Sequence, residues 1–308
     1  MGVDPLTHAL AGASIAWAAG GRHAGRRALL AGAAAGLLPD LDVLIRSAGD
    51  PLLAIEHHRG FTHSLLFVPI GGTIAALLTG ARRLIPAALL AYLSHPLLDA
   101  ATTYGTQLFW PFSRYRVGLD IISIIDPLFT LILVCATIAA YRNRPRLVHV
   151  ALALTIVWLT LGLIQRERAS AAQRQLATSR GHRVLRAAVF PTFANTIVWR
   201  SLYLTNGTIR MDRIRVPWLA SPTHISGPAV PLATAPHPDF ARVAWFSDGW
   251  TARDPQDPTL IGDARYSLHS DRYAPVWGIR LHPTRWVNRS RERRVPVVET
   301  WREIVGTR

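Results

Sequence analysis

Residues 28–45 read ALLAGAAAGLLPDLDVLI, an apolar run of small and aliphatic side chains that ends on two carboxylates, Asp40 and Asp42, behind Pro39. Small residues allow close helix contact in a bilayer, where lipid gives no hydrophobic drive for association. Carboxylates are costly in hydrocarbon and mark functional positions when they occur there. Five similar stretches surround this one, roughly at 5–20, 61–80, 84–100, 124–141 and 147–165. Several are near the lower length limit of about 17 residues for crossing the hydrocarbon. The competing reading is a soluble all-α protein with buried helices.

The stretches keep nearly all of their imidazoles and carboxylates at one end: His8, Asp40, Asp42, His57, His58, His63, His95, Asp99, Asp120 and Asp126. Helices of alternating direction would bring these groups to one membrane face. The expectation is an α-helical membrane bundle of about six transmembrane helices over residues 1–165. A helical linker at 166–185 and a small β-rich extracytoplasmic domain at 186–308 complete the chain. The second part is marked by short runs bounded by Pro and Gly, and by Asn206-Gly207 between LYLT and TIRM, a hairpin signal.

Arginine placement sets the orientation. The loops after stretches 1, 3 and 5 carry Arg22, Arg26, Arg27, Arg82, Arg83, Arg142, Arg144 and Arg146 without an acid. The connections after stretches 2 and 4 carry Arg46, Arg59, Arg114 and Arg116 among several acids. Positive-inside reasoning puts the first set in the cytoplasm, leaving the His/Asp shelf and the chain after 165 outside. This implies a multi-pass protein of a bacterial cytoplasmic (inner) membrane. The N-terminus lacks the positive region of a cleavable signal and reads as a retained helix.

The chain has 308 residues and a formal charge of +15, with Arg as its only Lys/Arg type; 22 of the 34 arginines lie after residue 165. A basic surface beside a membrane most simply meets anionic lipid head groups. No zinc finger, RNA-recognition motif or basic heptad array supports a nucleic-acid partner. One cysteine, Cys135, excludes a disulfide framework or thiolate zinc site.

The densest motif is His57-His58-Arg59-Gly60-Phe61-Thr62-His63-Ser64, expected to open the third helix. Gly60 would let the backbone bend so that its histidines converge on one ion. Arg59 is suited to an anionic substrate, since guanidinium matches phosphate oxygens bidentately. His95 and Asp99 stand at i and i+4, on one helical face, with Pro96 between them to bend the helix. Asp40 and Asp42 can share a hard cation; acids at a helix C-terminus are unfavourable without one. His8 opens the first helix on the same side. Asp126, before Pro127, fits an ordinary N-cap, and Asp120 stays undecided. Phe109-Trp110-Pro111-Phe112 has the composition of an interfacial aromatic anchor. Imidazole plus carboxylate without thiolate suits zinc first, with manganese or iron as alternatives, as one ion or two. A bound metal would bring water's pKa toward neutrality.

Together, Asp4-Pro5-Leu6-Thr7-His8, Pro39-Asp40-Leu41-Asp42, His58-Arg59-Gly60-Phe61-Thr62-His63-Ser64 and His95-Pro96-Leu97-Leu98-Asp99 resemble the YdjM-like family of inner-membrane, metal-dependent hydrolases. Phe190-Pro191-Thr192-Phe193-Ala194-Asn195, Trp199-Arg200 and Asp263-Ala264-Arg265-Tyr266 look like parts of an extracytoplasmic tail found in such proteins. A fainter likeness links the histidine-rich helical pattern to zinc-dependent phospholipase C and P1-type nucleases. The resemblance implies metal ligands at His8, Asp40, Asp42, His58, His63, His95 and Asp99, with His57 less certain because the motif begins at the second histidine.

The expected function is a membrane-bound metal-dependent hydrolase cleaving a phosphoester of a phospholipid or other lipid-linked substrate. Asp40 or Asp42 would orient or deprotonate water, and Arg59 would hold a phosphate oxygen. The alternatives are a transporter, or a scaffold or regulator with a structural metal. A transport path would need polar residues through the bilayer, and here they stop at one end.

Overall fold

The computed structural model describes residues 4–20, 25–268 and 272–289. Arg22 and the end of the β-rich stretch from residue 290 lie outside the described residues. Helix α1 (Pro5–Gly20) starts where Asp4 caps it: the Asp4 carboxylate accepts from the Thr7 amide at 3.0 Å and the Thr7 hydroxyl at 2.6 Å. Helix α2 (Gly25–Leu37) is followed by tighter 3₁₀ turns over Leu38–Leu44, because Pro39 has no amide hydrogen to continue the α pattern. After α3 (Leu53–His57), the HHRGFTHS segment forms two 3₁₀ turns, Phe61–His63 and Leu65–Phe67, before α4 (Val68–Leu78) begins. Helices α5 (Ile85–Ala100), α6 (Pro127–Tyr141) and α7 (Pro145–Ser179) complete the helical series. Asp126 caps α6, accepting from the Leu128 and Phe129 amides. Its second carboxylate oxygen accepts from Trp158 Nε1 at 2.9 Å.

These lengths correct the six-span expectation. Among the described residues only α7 is long and apolar enough to cross a membrane; a second span results only if Leu53–His63 and Leu65–Leu78, bent by 54°, count as one. The helices fall largely within the expected stretches, but α2, α4 and α5 have 13, 11 and 16 residues, below the roughly 20 that a span needs. The physical cause is punctuation inside the apolar runs. Pro39 converts the end of the second run to 3₁₀, and the bend through Gly60 takes seven positions, 61–67, from the third.

One compact unit lies within residues 1–46 and 56–162, a second within 47–55 and 163–308. In the first, α1 packs on α2, α5 and α6, and α4 on α5. The α1–α2 contact is backbone to backbone: a Cβ on Gly12 would lie 2.2 Å from Gly32 O, and one on Gly36 2.3 Å from His8 O.

The second unit holds strands β1 (Arg186–Pro191), β2 (Val198–Thr205), β3 (Thr208–Arg215), β4 (Thr223–Ile225) and β5 (Ala229–Pro231) in one antiparallel sheet. Helix α8 (Pro238–Phe246) precedes a second antiparallel sheet of β6 (Thr251–Asp254), β7 (Asp257–Asp263), β8 (Trp277–Leu281) and β9 (Thr284–Asn288). Asn206 and Gly207, both at positive φ, form the β2–β3 turn as the sequence indicated. Leu202, Ile209, Trp250 and Tyr273 share one core. The short segment 47–55 joins this unit because Leu52 is buried with Val243, Ile261 and Ile279, and Asp50 pairs with Arg242 at 2.7 Å. Gly12→Ala should separate α1 from α2, with overpacking costing about 1–3 kcal/mol; a lowered thermal midpoint of the detergent-solubilised chain is the expected reading.

Candidate metal centre

His63 and His95 bring Nε2 atoms to within 3.0 Å of each other. His95 Nδ1 lies 2.6 Å from Gly36 O, which can only accept, so this nitrogen carries the proton. His63 Nδ1 lies 3.1 Å from Asp42 Oδ2, an acceptor as well, and 3.0 Å from the Thr62 hydroxyl, which donates to the same carboxylate. In their neutral forms both rings would present lone pairs at Nε2, facing each other; burial lowers the pKa of each ring, but Asp40 and Asp99 raise it on balance. This arrangement requires a proton or a cation between them. Fixing Nδ1 on a carbonyl or carboxylate is how proteins orient a metal-binding imidazole.

Two carboxylates complete the group. Asp40 Oδ1 lies 3.7 Å from His63 Nε2 and 3.5 Å from His95 Nε2. Asp99 Oδ2 lies 3.3 Å and 3.6 Å from the same atoms. Ligands about 2.1 Å from one tetrahedral ion are separated by about 3.4 Å, so the five edges, from 3.0 to 3.7 Å, match such a cage. Asp40 Oδ1 is buried yet has no hydrogen-bond partner among the described residues. The residues fit a divalent cation. Asp40, Asp42 and His58 form a second group of possible ligands, so Asp40 belongs to both. His58 Nδ1 lies 2.7 Å from Asp42 Oδ1, while its Nε2 is buried without a hydrogen-bond partner among the described residues.

Asp42 anchors the surroundings. Its carboxylate meets the His58 and His63 rings and accepts from the Arg59 amide at 3.0 Å and the Thr62 hydroxyl at 3.0 Å. Burial alone would raise its pKa, but the bonds from His58 and His63 hold it below the usual carboxylate range. Arg59, at a φ of 63°, occupies a left-handed conformation that is unfavourable for a residue with a long side chain. That conformation gives its amide to Asp42 while its fully buried guanidinium reaches Asp99 Oδ1 at 2.8 Å and the Thr102 hydroxyl at 2.9 Å. His8 stacks on His95 with centroids 3.6 Å apart and sits 3.3 Å from Asp99 Oδ1. Burial, reinforced by neighbouring His95, pushes its pKa down to about 4, so His8 is neutral near pH 7.

A model of the YdjM inner membrane protein family matches residues 3–169, more than half of the chain. This chain belongs to the YdjM inner membrane protein family. All of the ligand candidates lie in the matched region. Inner membrane protein YbcI of Escherichia coli (strain K12) is 35% identical over 121 residues, covering 36% of this chain and 69% of YbcI. The uncharacterized protein YfhP of Bacillus subtilis (strain 168) is 34% identical over 114 residues, covering 34% of this chain but only 33% of YfhP. No solved structure matches.

In this YdjM-family chain, the structure gathers Asp40, His63, His95 and Asp99 into one group, with Asp42 and His58 beside it. His8 touches the group through Asp99 and His95. His57 is exposed at the end of α3 and belongs to neither ligand group, nor do Asp120 and Asp126. Arg59, expected to hold a phosphate oxygen, is instead packed against Asp99. Thr102, the Gly36 carbonyl and Tyr92, whose hydroxyl donates to Thr62 O at 2.7 Å, carry no signal in the sequence, and Thr62 lies inside the histidine-rich motif without a role of its own being legible there. A backbone carbonyl leaves no mark in a side-chain pattern, and threonines near helix ends are too common to single out. Arg59→Met would leave Asp99 buried without its cation. The expected cost is about 3–5 kcal/mol, read as a lower thermal midpoint, with Arg59→Lys recovering part of it.

Proposed function

We propose that this inner-membrane protein is a metal-dependent hydrolase, with Asp40, His63, His95 and Asp99 holding the cation and a phosphoester of a phospholipid or lipid-linked molecule as substrate. The observation that carries this reading is the convergence of two tautomer-fixed imidazoles with two carboxylates on one small volume. A divalent cation there would supply Lewis acidity and bring the pKa of a bound water toward neutrality. Zinc suits the mixed nitrogen and oxygen donors, as do manganese and iron.

The chain's own groups divide the work unevenly. Asp40 has a side chain 18% exposed, whereas those of His63, His95 and Asp99 are fully buried. Substrate and water therefore approach from the Asp40 side, beside His58, whose side chain is 14% exposed. Asp40 is the group placed to orient water or take its proton. Asp42 holds His58 and His63 in register, and Arg59 keeps Asp99 ionised. The family's membrane residence favours a substrate delivered by the bilayer. The arginines at the start of α7 and just before it, Arg142, Arg144 and Arg146, favour a cytoplasmic beginning for that helix and an extracytoplasmic location for the β-rich part beyond its far end.

A second reading is a structural metal in a scaffold or regulatory protein. Four protein ligands, three of them fully buried, suit a closed structural site as well as a catalytic one. Elemental analysis of the purified chain, combined with hydrolysis of bis(p-nitrophenyl) phosphate and of phospholipid vesicles, separates the two. The hydrolase should carry one or two divalent ions per chain and lose turnover on chelation. His63→Ala and Asp40→Asn should cost at least about 100-fold in rate while the protein stays in the membrane. Bound metal without turnover on any phosphoester would leave the structural reading; turnover undiminished in both variants would remove the proposed site.

A further inference from the structure

Residues 147–164 of α7 contain no Asp, Glu, Lys or Arg, and Arg166, Glu167 and Arg168 lie just beyond. At 1.5 Å per residue this stretch is about 27 Å long, close to the thickness of a hydrocarbon core. Leu154, Ile156, Val157, Leu163 and Ile164 are each 46–66% exposed, as expected of a helix face that lipid covers. The polar boundary of the span therefore falls at Gln165–Arg168.

A loop from the β-rich unit is fastened to that turn. Gln165 Nε2 donates to Thr196 O at 3.1 Å and to Val216 O at 2.8 Å. Arg168 Nη2 donates to Pro217 O at 2.8 Å and to Ala220 O at 3.4 Å. Between these pinned carbonyls, Trp218 is 40% and Leu219 101% exposed. A single exposed apolar side chain on a soluble surface needs no explanation. Here two adjacent ones are held, by side chains of the first polar turn, at the level where the apolar span stops. Trp favours that depth because its indole is apolar with one polar edge. Arg168 supplies positive charge at the same level for anionic head groups, whereas Arg166 is paired with Glu167 at 2.6 Å.

We propose that Trp218 and Leu219 form a membrane foot, inserted at the head-group boundary of the bilayer that α7 crosses. Lipid is the occupant, because the loop is fastened to the turn that directly follows Ile164, the last exposed aliphatic residue of the apolar stretch of α7. The foot fixes the depth of α7 and keeps the start of the β-rich unit at the membrane surface. It does not depend on whether the metal centre hydrolyses anything.

The test uses the full chain in phosphatidylcholine–phosphatidylglycerol vesicles. Cys135, the single cysteine, is replaced by serine, and a solvatochromic fluorophore is attached at Leu219→Cys or, as control, at Gln256→Cys in the exposed β6–β7 turn. Both side chains are exposed, so neither label disturbs a core. The foot requires blue-shifted emission at 219 and a several-fold loss of intensity when lipids with a nitroxide near the head group are included, with little change at 256. Equal responses at the two positions would overturn it. So would a label at 219 that is shielded from aqueous iodide but unaffected by nitroxide lipid, which would place protein there instead.

Discussion

Asp99 is a carboxylate with no solvent exposure in a bundle of small apolar helices. Removing such a charge from water costs several kcal/mol unless partners surround it. Here Arg59, His8, His63 and His95 do so, from three separate parts of the chain. The carboxylate is thus a node where α1, α5 and the HHRGFTHS turns must meet. Arg59 makes this possible at the cost of a left-handed backbone, which turns its amide to Asp42 and its guanidinium to Asp99. Strain of this kind persists only where surrounding structure over-determines it.

The small residues of α1 and α2 belong to the same arrangement. Gly36 can bring its carbonyl to His95 Nδ1 because it lacks a side chain; a Cβ there would strike the carbonyl of His8. Close helix contact and imidazole orientation therefore depend on one backbone approach. Asp42 has the corresponding role on the other side, fixing His63 and His58 through their Nδ1 atoms. A cation would find its ligands already rotated toward it, which reduces the entropy lost on binding.

Among the described residues, the helix long enough for a span and the turns that carry candidate ligands are different segments. Helix α7 has the length and apolarity for a span, while α2, α4 and α5 are each too short for one by themselves, and the candidate ligands lie in the turns beside α2 and α4 and on α5. Proline and the HHRGFTHS bend shorten those helices, and the same interruptions supply ligands: 3₁₀ turns carry Asp40, Asp42 and His63. A continuous α-helix would spread these side chains around its axis. The extended second half of α7 provides a packing surface for β1–β3, with Ala169 buried beside Trp199 and Ile214.

The sequence by itself determined the candidate ligand types, the family resemblance, the start of α1 at Asp4-Pro5, the cap at Asp126, the Asn206-Gly207 turn and a β-rich second part. Each rests on local chemistry: a missing amide, a capping carboxylate, a residue that tolerates positive φ, a short spacing of imidazoles. Tertiary structure decided the rest. Apolar composition alone does not distinguish a span from a short buried helix, because both exclude charge; length after interruption separates them, and that depends on where the backbone bends. Arg59 looked like a hand for substrate because its chemistry allows it, but only the fold shows the guanidinium enclosed against Asp99. Gly36 acts by offering its own carbonyl to the distant His95, and Leu52 by filling a core supplied by distant segments, and such long-range pairing leaves no periodic trace in the chain.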